Sequence, residues 1–126
     1  MQFLNAEHKN SFRFAANLCC NQDKRWLATA YIITASPRLY FDAEPFMGDC
    51  YINFARIQFS PCTPTEAALY NAAIDIWNMD EYFNLSDLTD EIEIPDAALI
   101  VITNALLYLR FGFDAEAPVA KVTELR

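Results

Sequence analysis

IPDAALIVITNALLYLRFG, residues 94–112, is the longest apolar run in the chain, and its reading decides the fold. Its ends carry helix signals. Pro95 suits a first helical position, where the missing N–H costs nothing. Gly112 sits where a left-handed residue closes a helix. Asp96 sets a negative charge at the positive end of the helix dipole, and Arg110 a positive charge at the other. Asp96, Thr103 and Arg110 recur every seven residues and make one narrow polar stripe, with Asn104 beside it; the positions between are Ala, Leu, Ile, Val and Tyr. A helix apolar nearly all round is either buried or in a membrane. The unbroken run from Ala97 to Ile102 is far short of the ~20 residues a span requires, so burial is expected. A strand at Leu99–Thr103 is the rival, because Ile-Val-Ile-Thr is β-prone; the length of the pattern and its end signals favour a helix over 95–111. The expected fold class is all-α: a single-domain bundle of about five helices around this central apolar helix. The bundle takes in residues 1–112, and residues 113–126 form a polar, loosely docked tail.

Composition agrees with a buried helical core. The chain has 126 residues, of which 54% are apolar and 14% aromatic, enough for one domain with a core of its own. Gly48 and Gly112 are its only glycines, which leaves few positions for positive-φ turns and argues against a hairpin-rich β fold. The opening MQFLNAEHKN lacks the basic and apolar regions of a signal peptide, and no stretch is long enough to span a bilayer. A cytoplasmic location is expected on that basis. Cys19, Cys20, Cys50 and Cys62 then read as thiols that pack as small hydrophobes.

The net charge of −8 is unevenly placed. Residues 57–109 hold nine acids and no Lys or Arg, whereas the flanking segments are close to neutral. That balance disfavours direct nucleic-acid binding, which needs Lys and Arg against phosphates. It equally disfavours anionic membrane surfaces.

Around the central run the other helices follow from periodicity and caps. Asn5 caps a helix reaching about Cys20, with His8, Phe12, Ala15, Ala16 and Cys19 on one face. Lys24 to Ala35 forms a second, ended by Ser36-Pro37. Asp42 to Pro45 opens a further helical segment, Gly48-Asp49 turns the chain, and a short helix is expected within 51–59, its aromatics Tyr51, Phe54 and Phe59 packing over the core. Thr63-Pro64-Thr65-Glu66 is a capping box with Pro at the first helical position. It opens a helix to about Met79 with Leu69, Ala73, Ile76 and Trp77 on its inner stripe. Ser86 caps a last short helix, Asp87 to Ile92.

Three stretches together resemble an uncharacterised family of small proteins from Gram-positive gut bacteria and their phage-like elements. They are Phe3-Leu4-Asn5-x-Glu7-His8-Lys9-x-x-Phe12, Ala30-Tyr31-Ile32-Ile33-x-Ala35 with Leu39-Tyr40 after it, and the capped helix ending near Trp77-Asn78. The resemblance implies a small intracellular helical protein of mobile-element origin and brings no assigned activity.

Motifs for chemistry are sparse. Two distant glycines exclude a P-loop or a dinucleotide fingerprint. The sequence has no Glu-x-x-His pair and no C-x-x-C. His8 is the one histidine, and in such a position it reads as a surface or packing residue before a base or ligand. Asp87, Asp90 and Glu91 share a face if they are helical, and they read as a solvated acidic face before a Ca²⁺ or Mg²⁺ site. No cofactor is expected. The function expected is a non-enzymatic protein–protein interaction module, oligomeric, with a protein partner or self-association. Its expected partner surface is Asp80, Glu81, Tyr82, Phe83, Asp87, Asp90 and Glu91. The alternative is a small metal-dependent or thiol enzyme, using Asp87, Asp90 and Glu91, or His8 with a cysteine.

Overall fold

The computed structural model describes residues 1–19, 22–79 and 84–113. Among them are five α-helices: α1 (Ala6–Ala16), α2 (Lys24–Ile33), α3 (Pro37–Ala43), α4 (Pro64–Asn78) and α5 (Asp96–Phe111). One small antiparallel hairpin, β1 (Met47–Gly48) with β2 (Tyr51–Ile52), lies between α3 and α4. Single 3₁₀ turns occur at Glu44–Phe46, Phe54–Arg56 and Asp87–Thr89.

The helix starts are written in local side chains. Asn5 Oδ1 accepts the His8 amide at 2.8 Å, and Asp23 Oδ1 accepts that of Arg25 at 2.9 Å. Ser36 Oγ accepts the Leu39 amide at 3.2 Å, with Pro37 in the first turn, so the residues that end α2 also open α3. Thr63 Oγ1 accepts from Glu66 N at 3.1 Å, as a capping box requires. The Glu66 carboxylate reaches one residue further back than usual, to Cys62 N at 2.7 Å, and pairs there with Arg38.

The centre of the fold is α2, not α5. Every residue from Trp26 to Ser36 is buried, and α2 packs on α1, α3, α4 and α5. Its polar side chains tolerate burial because they bond to their own helix: Thr29 Oγ1 donates to Arg25 O at 2.8 Å, and Thr34 Oγ1 to Ala30 O at 2.7 Å. Lys24 and Arg25 are confined to the exposed first turn. The run of 94–112 is helical as expected, but α5 is buried along one line only: Ala98, Val101, Ile102, Ala105 and Tyr108, with Asn104. Leu106 and Phe111 are exposed, while Leu99 and Leu109 are half-buried. A long apolar run measures how hydrophobic a helix is; it does not count the neighbours available to cover it.

Other expectations need correction. The short helix expected within 51–59 is reduced to the 3₁₀ helix Phe54–Arg56, preceded by β2 and followed by irregular chain. The hairpin holds because Trp26 Nε1–H is shared by two carbonyls, Gly48 O at 2.9 Å and Tyr51 O at 3.1 Å, which fastens it to α2. Its turn is Asp49-Cys50, and the positive φ of 68° belongs to Cys50. Gly48 contributes space instead: a Cβ there would meet the tip of the Tyr51 side chain, 2.5 Å from Cζ and 2.7 Å from the hydroxyl oxygen. Phe54 and Phe59 pack on Tyr70, with ring centres 6.4 and 5.4 Å away, but Tyr51 is 54% exposed. α1 stops at Ala16, although Cys19 beyond it is buried. Gly112 does end α5, in a different backbone region from the left-handed one: φ 106° and ψ 166° are essentially open to glycine alone. The expected helix over 87–92 is a single 3₁₀ turn. Ser86 does not cap it; Asn84 and Asp87 exchange bonds instead, Asp87 N to Asn84 Oδ1 at 3.0 Å and Asn84 N to Asp87 Oδ2 at 2.9 Å.

Candidate functional site

The two chemical alternatives can be placed first. His8 enters the core from α1 between Phe3 and Tyr31, with ring centres 5.1 and 4.7 Å away. Its Nδ1 accepts the Leu4 amide at 3.1 Å. Nε2 must therefore carry the proton, and it donates to Tyr31 O at 2.8 Å. Burial pushes the imidazole down from 6.5 to about 4, against the opposing pull of the Tyr31 carbonyl. Both nitrogens are occupied, so neither is placed to take a proton from a thiol. Of the cysteines, Cys19 is buried and accepts the Asp23 amide at Sγ, 3.3 Å away; Cys50 and Cys62 are exposed. Cys20 lies outside the described residues.

His8 belongs to a larger polar cluster inside the core. Tyr31 Oη donates to Gln2 O at 2.5 Å, and Tyr108 Oη accepts from Gln2 N at 2.7 Å. Asn104, read from the sequence as a neighbour of the polar stripe, is buried and bonds to Tyr31. Burial raises the Tyr31 hydroxyl far above its usual range, against the bond from Asn104, and raises that of Tyr108 as well. This cluster clamps the Gln2 backbone and holds the segment before α1 in place.

The acidic trio does not share a helical face. Asp87 is half-buried and caps the turn through Asn84. Asp90 Oδ1 accepts the amides of Ile92 and Glu93 at 3.0 and 3.4 Å. Glu91 is exposed. Two of the three carboxylates are thus engaged by backbone N–H groups. Among the described residues no group of three or more His, Cys, Asp or Glu is placed to hold a metal ion. The other expected partner-surface residues, Asp80, Glu81, Tyr82 and Phe83, lie outside the described residues.

Next to Asp87 in the chain, Leu88 lines an apolar groove from the connecting turn. Ile76 and Met79 line it from α4, and Ile102, Leu106 and Leu109 from α5. Ala72 and Asp75 complete the wall of a cavity of about 310 Å³. Met79, at the end of α4, takes the left-handed conformation (φ 59°, ψ 35°) and is 75% exposed; Leu106 is 44% exposed. The sequence reading assigned Ile76 to the inner stripe of α4, where it is only half-buried. It assigned Leu106 and Leu109 to a wholly covered helix. The signal for the groove was present in that surplus, because α5 carries more apolar side chains than one buried face can use. No helix among the described residues is long and apolar enough to cross a membrane.

Comparison with known proteins gave no match to a protein-family model, to a curated protein or to a solved structure.

Proposed function

We propose that this protein is a non-enzymatic protein-interaction module, folded as one helical bundle in the cytoplasm, whose working surface is the groove between α4 and α5. The observation that carries the reading is the groove itself. Large apolar side chains from two helices and a turn line an open cavity whose mouth residues, Met79 and Leu106, stand in solvent. Exposed apolar patches of this kind, rimmed by polar residues, mark sites of association. Of the acidic residues expected to face a partner, Asp87 adjoins Leu88 of the groove wall, and Asp75 in the wall adds a second carboxylate. The resemblance to small helical proteins of Gram-positive gut bacteria and their phage-like elements is compatible with an adaptor of mobile-element origin.

Leu106→Gln tests the reading, because it removes apolar surface at a site already open to water. Immobilised wild-type chain and the variant are compared for proteins captured from lysate and, by light scattering, for self-association. The expected result is association by the wild type, reduced about tenfold or more in the variant with helix content unchanged. Association that is identical in the two proteins, or absent from the wild type by both measurements, overturns the proposal.

A further inference from the structure

We infer that the groove receives an amphipathic α-helix with basic flanks, supplied by another protein. This rests on the reading of the groove as the working surface and names its occupant. The walls come from two helices and a turn, and all but one of the lining residues are apolar. An amphipathic helix presents apolar side chains at i, i+3, i+4 and i+7, the pattern that fills a groove between two helices. A cavity of about 310 Å³ is at the lower limit for an enclosed small-molecule pocket, and suits a few anchoring side chains. Met79 at the mouth is an unbranched thioether that adapts to the shape placed against it.

Charge selects the partner. The two walls and the turn, residues 64–111, hold nine carboxylates against one cation, Arg110 in the last turn of α5. Asp75 lines the groove, and Asp87 adjoins Leu88 in the turn at its edge. A second copy docking by two-fold symmetry sets a patch against itself and so brings these carboxylates together. Like charges facing across an interface oppose binding, whereas Lys and Arg on a docking helix meet the rim with opposite sign. Nucleic acid is anionic and lacks an apolar face for the cavity.

The test uses the full chain and fluorescence anisotropy. The probe is a labelled helical peptide with Leu at i, i+3, i+4 and i+7 and Lys elsewhere; a twin carries Glu in place of Lys, and a third peptide has the same residues in alternating order. The Lys peptide is expected to bind about tenfold or more tightly than either control, to weaken with added salt, and to lose about tenfold with Leu106→Gln. Equal binding of the Lys and Glu peptides, both sensitive to Leu106→Gln, overturns the inference and leaves the interaction module standing. So does a dimer in light scattering that Leu106→Gln dissolves while no peptide binds. Lys-peptide binding that ignores Leu106→Gln overturns the inference as mere attraction to an acidic surface. No peptide binding together with a monomeric chain overturns the inference and also counts against the groove as a working surface.

Discussion

Acid should loosen this fold through one residue, His8. The imidazole is buried, held neutral, and lowered from 6.5 to about 4. The unfolded chain binds a proton near pH 6.5, and the folded chain does so only near pH 4. Between those values the unfolded state holds more protons, so stability falls as pH falls. The contribution of neutral His8 is complete above pH 6.5 and is lost as pH drops through about 4. A displacement from 6.5 to about 4 corresponds to about 3 kcal/mol in all, with about 1 kcal/mol gone by pH 6 and about 2 kcal/mol by pH 5. Carboxylates also weaken the fold in acid, so the measurement is a difference. Urea unfolding of wild type and of His8→Gln is followed from pH 8 to pH 5. Gln retains a donor and an acceptor but does not titrate. The wild type should lose about 2 kcal/mol relative to the variant over that range. Long-range proton–nitrogen spectra of the native protein should show one tautomer, with the proton on Nε2, and no titration near pH 6.5. A His8 signal that titrates at its ordinary value, or a difference that stays flat with pH, refutes the argument.

Other outcomes follow from the same packing. Tyr108→Phe removes the acceptor of the half-buried Gln2 amide and should cost about 1 kcal/mol in urea unfolding. Gly48→Ala brings a methyl group against the tip of the exposed Tyr51 side chain, which can swing aside, so it should cost less than about 1 kcal/mol; a larger loss that persists when Tyr51→Ala is added refutes the steric account. Thr63→Ala removes the α4 cap and should cost about 1 kcal/mol, with faster amide exchange in its first turn.

Legibility followed distance along the chain. The start of α4 was readable because Thr63, Pro64 and Glu66 act on backbone within one turn of themselves. Asn5 was readable for the same reason. The hairpin was not: its fastening is Trp26 Nε1, more than twenty positions away, 22 from Gly48 and 25 from Tyr51. Nor was the centrality of α2. Thr29 and Thr34 can be buried because their hydroxyls bond back to the carbonyls of Arg25 and Ala30, which periodicity does not show. Asn104 misled in the same way, since its partner Tyr31 is on another helix. As for the site, the acidic character of 57–109 was legible as a count, but the groove beside it was not. A groove depends on which side of α5 the other helices leave uncovered, and that is set by α2 and α4 together.

The grip on Gln2 has a consequence for synthesis. Its amide and carbonyl are held by hydroxyls on two different helices, and Tyr108 is 106 positions downstream. A nascent chain still lacking α5 has no acceptor for that amide. Tyr31 is also without Asn104, and the polar interior near His8 stays open to water. The earliest residues to emerge from the ribosome are thus among the last to lock, and a truncated product should betray itself by proteolysis ahead of α1.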